Sequence, residues 1–158
     1  MEFLEKLQSR HFDVLKEVGN IGAGHAATAL SALLNRKIEM TVPSVRLVPI
    51  QTLPEQIGGA GLEVAAIFLR LTGEATGSMY FITSIQDSEQ LVQQLTDNRD
   101  FQLHKPPFEQ MGLSALQELG NILAGSYLSS FSDFTGLNLQ PTVPELSIDM
   151  AGAILSYG

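Results

Sequence analysis

The sequence predicts one two-layer α/β domain, an α+β arrangement in which an antiparallel sheet is covered on one face by two long helices related by an internal pseudo-two-fold repeat. Three observations carry this. The chain matches itself without a gap at an offset of 101 residues. Each matched segment opens with apolar residues at three- and four-residue spacing, and the stretches that follow are rich in β-branched and large apolar residues broken by turn signals.

The repeat comes first because it fixes the architecture. Phe12 to Gly24 lies over Leu113 to Gly125, Ser31 over Ser132, and Thr41-Val42-Pro43 over Thr142-Val143-Pro144. Between Asp13 and Pro43, 11 of 31 positions are identical, where random pairing at ordinary residue frequencies gives roughly two. The match is a duplication.

In the first copy, Phe12, Leu15, Val18, Gly22, Ala26, Ala29 and Leu33 form the buried stripe of an amphipathic helix that ends near Asn35. Lys37 to Val48 alternates and is expected as a strand, with Pro43 at an edge or bulge because it has no N–H for a ladder. Leu62–Leu71 and Ala75–Thr83 read as a hairpin about Thr72-Gly73-Glu74. Asp87 to Thr96 reads as a short helix with Leu91, Val92 and Leu95 inward, and Asn98 to Pro107 connects to the second copy. There Leu116, Leu119, Leu123, Tyr127 and Phe131 repeat the helical stripe. Pro144 to Gly158 answer Pro43 to Ile57, so nothing matches the hairpin: either the second repeat is truncated, with an unpaired sheet edge that would invite another chain, or it completes its sheet another way. The repeats span about 10–98 and 109–158 within a single domain, 1–158. A mildly amphipathic helix is expected around Ile148, Ala151, Ile154 and Leu155, with core packing as its default use.

Composition narrows the functions. With 44% hydrophobic and 16% charged residues the chain buries a core. A net charge of −8 argues against nucleic acid or an anionic membrane and favours a partner with a basic patch. There is no Cys, and three scattered His do not make a zinc site, so no metal ligands are assigned. Met1-Glu2-Phe3-Leu4-Glu5 lacks a basic, apolar targeting start and no run is long enough to span a bilayer, which gives a cytoplasmic reading without membrane insertion.

The candidate site is a polar face. At 100° per residue, Asp13, Glu17 and Asn20 fall within about 60° of one another, opposite the apolar stripe. Ser114, Glu118 and Asn121 repeat that face, and each Asn is followed, after 22 residues, by Pro43 or Pro144. Glu and Asn persist in both copies while the neighbouring core changes from Val18 to Leu119 and from Gly22 to Leu123. No Ser-His or Cys-His pair supplies a nucleophile. A held Asn can orient a water in line with a phosphorus, and a Glu one turn away can pair with a partner's Lys; the chemistry fits hydrolysis of a phosphoryl group carried by another protein.

The pattern Asp or Ser, three residues, Glu, two residues, Asn, 22 residues, Pro, present twice, resembles the CheC, CheX and FliY phosphatases of bacterial chemotaxis. The stretch Glu17-Val18-Gly19-Asn20-Ile21-Gly22-Ala23-Gly24-His25 and on to Ser31 is similar to CheC in particular, and the resemblance covers most of residues 10–158. It implies a CheC-like fold and removal of phosphate from the phospho-aspartate of the response regulator CheY. By that resemblance Glu17 and Glu118 bind the regulator's active-site Lys, and Asn20 and Asn121 insert and orient the water. Asp13 and Ser114 support docking, and Pro43 and Pro144 shape the adjacent backbone. It implies no cofactor of the chain's own, Mg²⁺ on the regulator, and the deamidase CheD as a further partner. Competing readings are a non-catalytic module that binds phosphorylated CheY or CheD, and a structural flagellar-switch component.

Other signals are weaker. Gly19, Gly22 and Gly24 have the wrong order for a phosphate loop, and with Ala23, Ala26, Ala27, Gly120, Ala124 and Gly125 they read as small residues that let elements approach closely. His25 has Ser126 as its repeat mate and is given no shared catalytic role, while His11 and His104 read as surface residues.

Overall fold

The computed structural model describes residues 5–156; Met1–Leu4, read above as lacking a targeting start, lie outside the described residues. Two 26-residue helices dominate, α1 (Ser9–Leu34) and α4 (Gln110–Thr135), and their boundaries differ by the 101-residue offset of the sequence repeat. Between them come a 3₁₀ turn (Ile50–Thr52), α2 (Leu53–Gln56), β1 (Glu63–Gly73), β2 (Gly77–Ser84) and α3 (Ile85–Thr96). After α4 the chain adds β3 (Leu139–Pro141), β4 (Glu145–Met150) and α5 (Ala151–Leu155).

Helix α1 stops where the sequence says it should. Asn35 caps it with φ 49°, a left-handed conformation that Asn tolerates better than most residues. The buried stripe is correct in its middle, at Val18, Gly22 and Ala26, but drifts at the end: Leu30 is buried, whereas Ala29 is exposed and Leu33 is 60% exposed. The reason lies in what covers α1. It packs mainly along α4, and α4 lies on the sheet.

The expected hairpin is present, with β1 and β2 antiparallel from Val64↔Ser84 to Leu71↔Gly77. Along its other edge β1 pairs with β4 (Glu63↔Met150 to Phe68↔Glu145) and then with β3 (Leu71↔Pro141 to Gly73↔Leu139). Between these two registers β1 contributes Leu69 and Arg70 while the opposing chain contributes Thr142, Val143 and Pro144, a one-residue bulge. Pro144 cannot donate to a ladder, and Thr142 instead exchanges hydrogen bonds with Arg70, its N–H donating to the Arg70 carbonyl at 2.9 Å and its Oγ1 accepting from the Arg70 N–H at 2.9 Å. Gly73, the last residue of β1, has φ 108° and lies against the Asn138 carbonyl, where a Cβ would collide; only glycine suits that position. The hairpin turn falls at residues 74–76, two later than expected, because Thr72 and Gly73 pair with β3.

Lys37–Val48 is not a strand. The Ile38 N–H donates to Ser31 Oγ at 2.9 Å and the Val42 N–H to Asn20 Oδ1 at 2.7 Å, so this segment is fastened to the side chains of its own helix. Its second-copy counterpart, from Leu139 onward, is fastened to β1 instead. The two-fold relation expected of the whole domain therefore does not extend to the sheet.

The main core lies between the helices and the sheet, built from Leu30, Ala65, Val92, Phe101, Leu103, Leu116 and Leu119. Burying side chains of this size contributes about 1.5–3 kcal/mol each. The opposite face of β1, through Val64 and Ala66, is covered by Ala151 and Ile154 of α5 with Ile57 beside them. The expected terminal helix is shorter than the sequence suggested, because Ile148 belongs to β4 where it pairs with Ala65; Ala151, Ile154 and Leu155 do enter the core.

Glycine allows close approach at some of the expected places. A Cβ on Gly22 would sit 2.9 Å from the Tyr127 Cα where the helices meet, one on Gly120 would enter Ile67 of the sheet, and one on Gly112 would enter the Phe101 ring. Gly24 and Gly125 face nothing within 4 Å.

Candidate functional site

The two polar faces are where the sequence put them. Asp13, Glu17, Ser114, Glu118 and Asn121 are exposed on α1 and α4, and Asn20 is half-buried. A three-residue step on a helix places Glu17 beside Asn20, and Glu118 beside Asn121, at about 5–6 Å between Cβ atoms. Neither Glu has a hydrogen bond or ion pair among the described residues, so both carboxylates are open to an incoming cation. Val14 and Ile21, 42% and 41% exposed, flank Glu17 and give the first face an apolar margin.

The two Asn side chains differ. A backbone N–H can only donate, so the Val42 bond turns Asn20 Oδ1 toward the segment and leaves Nδ2 pointing away from it. Val42 is also the residue before Pro43; its side chain packs at Gly19, where an added Cβ would lie 3.2 Å from Val42 Cγ2. Asn121 is free of side-chain hydrogen bonds among the described residues, and Val143, the repeat mate of Val42, is 80% exposed. In the second copy the helix is tied to the neighbouring turn by Gln117, whose Nε2 donates to the Pro144 carbonyl at 2.6 Å. Gln117 was missed in the sequence because its repeat mate is Lys16; its place one residue before Glu118 was the available signal.

Three further observations bound the chemistry. His25 Nδ1 lies 3.2 Å from Ser130 Oγ, and the Ser130 hydroxyl donates to the Ser126 carbonyl at 3.0 Å, so His25 links the two motif helices. His104 is more than a surface residue: with the Leu103 and His104 N–H groups it meets the Glu89 carboxylate, at 2.6–3.1 Å. Partial burial raises the Glu89 pKa, but these hydrogen bonds, first that from Leu103, and the charge of His104 outweigh it and hold the carboxyl below its ordinary range. Among the described residues no three His, Asp or Glu side chains converge on one point, and no helix is long and apolar enough to cross a membrane.

Fold and site together define a class: an antiparallel-sheet domain with two long helices, each presenting a Glu-x-x-Asn face to solvent. A profile of the CheC-like family matches residues 11–46 and 111–148, the two segments that carry those faces. The chain is 49% identical over 158 residues to the CheY-P phosphatase CheC of Bacillus subtilis, covering all of this chain and 76% of that one. It belongs to the CheC-like family. It is also 28% identical over 145 residues to the B. subtilis flagellar motor switch phosphatase FliY, covering 92% of this chain and 37% of that protein. The crystal structure of Thermotoga maritima FliY superposes with a TM-score of 0.74 at 25% identity, over 90% of this chain and 70% of that one. A Desulfovibrio desulfuricans CheX structure shares the fold, with a TM-score of 0.56 at 15% identity over 85% of this chain and 79% of that one.

Proposed function

We propose that the chain hydrolyses the aspartyl phosphate of a phosphorylated CheY-type response regulator, using two sites, Glu17/Asn20 and Glu118/Asn121. The observation that carries the reading is the Glu-x-x-Asn pair presented on each of two exposed helix faces, with both carboxylates unpaired among the described residues. Membership of a family with a phosphatase of CheY-P at 49% identity supports the substrate.

In this reading each Glu pairs with the regulator's Lys and sets the register of docking. The Asn carboxamide holds a water so that its lone pair faces phosphorus in line with the acyl oxygen. The water oxygen bonds to phosphorus as the acyl P–O bond breaks. The regulator's Asp leaves as carboxylate, and a water proton departs with inorganic phosphate or solvent. Asp13 and Ser114 widen the docking faces, and Pro43 and Pro144 keep the adjoining turns out of any ladder. Mg²⁺ is the regulator's, where it offsets phosphoryl charge. A CheD-type deamidase enters as a second partner on the family resemblance alone.

The test is the decay of phosphorylated CheY with Mg²⁺ and substoichiometric chain, wild type against Asn20→Ala, Asn121→Ala and the double variant. Accelerated decay that the double variant loses supports the reading, with a contribution of about 10²–10³-fold from the positioned amides. Binding without acceleration by wild type would replace it with a sequestering module.

A further inference from the structure

Two glycines have no reason within the fold to be glycine. Gly24 and Gly125 lie in the interiors of α1 and α4 without a positive φ, are exposed, and an added Cβ would have no atom within 4 Å beyond the helix's own nearby backbone. Glycine weakens a helix interior relative to alanine, yet it stands at the same place in both copies. That place is four residues past the Asn, about 40° around the helix and roughly 6 Å along it, on the same outward face.

A second observation falls beside each glycine. A groove of about 530 Å³ is lined by Gly24, Thr28 and Ser31, and one of about 330 Å³ by their repeat mates Gly125, Ser129 and Ser132. The two copies treat their following segments differently, one fastened to a helix and the other to β1, yet both keep a largely apolar groove opening at the glycine.

We infer that Gly24 and Gly125 are the points where main chain of the phosphorylated regulator comes closest to each motif helix, seated in the groove one turn beyond the catalytic Asn. This rests on the phosphatase reading above. A side chain at either position holds the regulator's backbone away from the helix and the water away from phosphorus, so the bare helix surface is part of the docking site.

The experiment uses the full chain with Gly24 and Gly125 both replaced by Ala, and separately both by Leu. Melting temperature, and KM and kcat for decay of phosphorylated CheY, are measured beside wild type and the Asn20→Ala/Asn121→Ala double variant. The Ala pair melts higher than wild type because helix propensity improves, while KM rises; with Leu, KM rises by at least about tenfold, the size of effect an overfilled contact produces. A gain in stability with a loss of docking is a result that a role in folding does not produce. Wild-type KM in both glycine variants, with wild-type chain active and the Asn double variant dead, overturns the inference and leaves the phosphatase reading standing. Absence of activity in wild type overturns both.

Discussion

The carboxamide oxygen of Asn20 accepts a 2.7 Å hydrogen bond from the backbone N–H of Val42. One side chain thus has a structural duty and a proposed chemical one, and substitution can separate them. Asn20→Ala leaves the Val42 N–H without its partner and should cost about 1–2 kcal/mol in urea unfolding. Asn20→Asp keeps an acceptor there and should stay within about 0.5 kcal/mol of wild type. In an Asn121→Ala background both should lose phosphatase activity, since neither retains the amide. Full activity in Asn20→Asp would remove the carboxamide from the proposed chemistry.

The second site is held differently, through Gln117 and the bulge at Thr142–Pro144. Gln117→Met keeps length and loses the donor. In an Asn20→Ala background, where only the second site works, kcat for CheY-P decay should fall roughly tenfold with little change in KM, as expected when a catalytic group is set slightly out of place. Gln117→Lys restores a donor and should recover part of the loss. A KM effect alone would mean that the residue acts in docking.

Acid should loosen the connection between the copies. Glu89 has a folded pKa below its ordinary value, so its stabilisation is present above the unfolded pKa of about 4.3 and is lost as pH falls through the lower folded value. Glu89→Gln should therefore be less stable than wild type at neutral pH, and the gap should close below about pH 4. Urea unfolding of both proteins between neutral pH and pH 3 reads this directly. A constant gap at all pH values would assign the effect to packing.

Close approach at Gly120 should make it intolerant. Gly120→Ala drives a methyl into Ile67 and should destabilise by about 1–3 kcal/mol in chemical denaturation. An unchanged midpoint would show that α4 can lift from the sheet without penalty.

Much of the fold was legible because it depends on local pattern. The 3.6-residue stripe located both long helices, Asn35 marked the end of α1, and Thr72-Gly73-Glu74 marked the hairpin to within two residues, since its turn falls at residues 74–76. What was illegible depends on partners. Lys37–Val48 has strand composition, but composition gives only the capacity to pair, and Ser31 and Asn20 bind its N–H groups first. Ala29 and Leu33 fit the periodicity yet stay exposed, because past Ala26 the contact face of α1 shifts to Leu30, which enters the main core. The Glu and Asn faces could be placed by helical geometry alone. The inequality of the two Asn environments could not, since it comes from tertiary contacts that identical residues make differently.

Strand β1 carries a further consequence. It is the common neighbour of β2 from the first copy and of β3 and β4 from the second, and its pairs with β3 and β4 join residues more than sixty positions apart. Neither copy is then a self-sufficient unit, and the second has no ladder until the first supplies one. The stretch between Asn98 and Pro107 lies outside the sheet. Cutting the chain there should yield two fragments that stay together as a complementing pair, and neither fragment alone should show the cooperative melting of the intact protein.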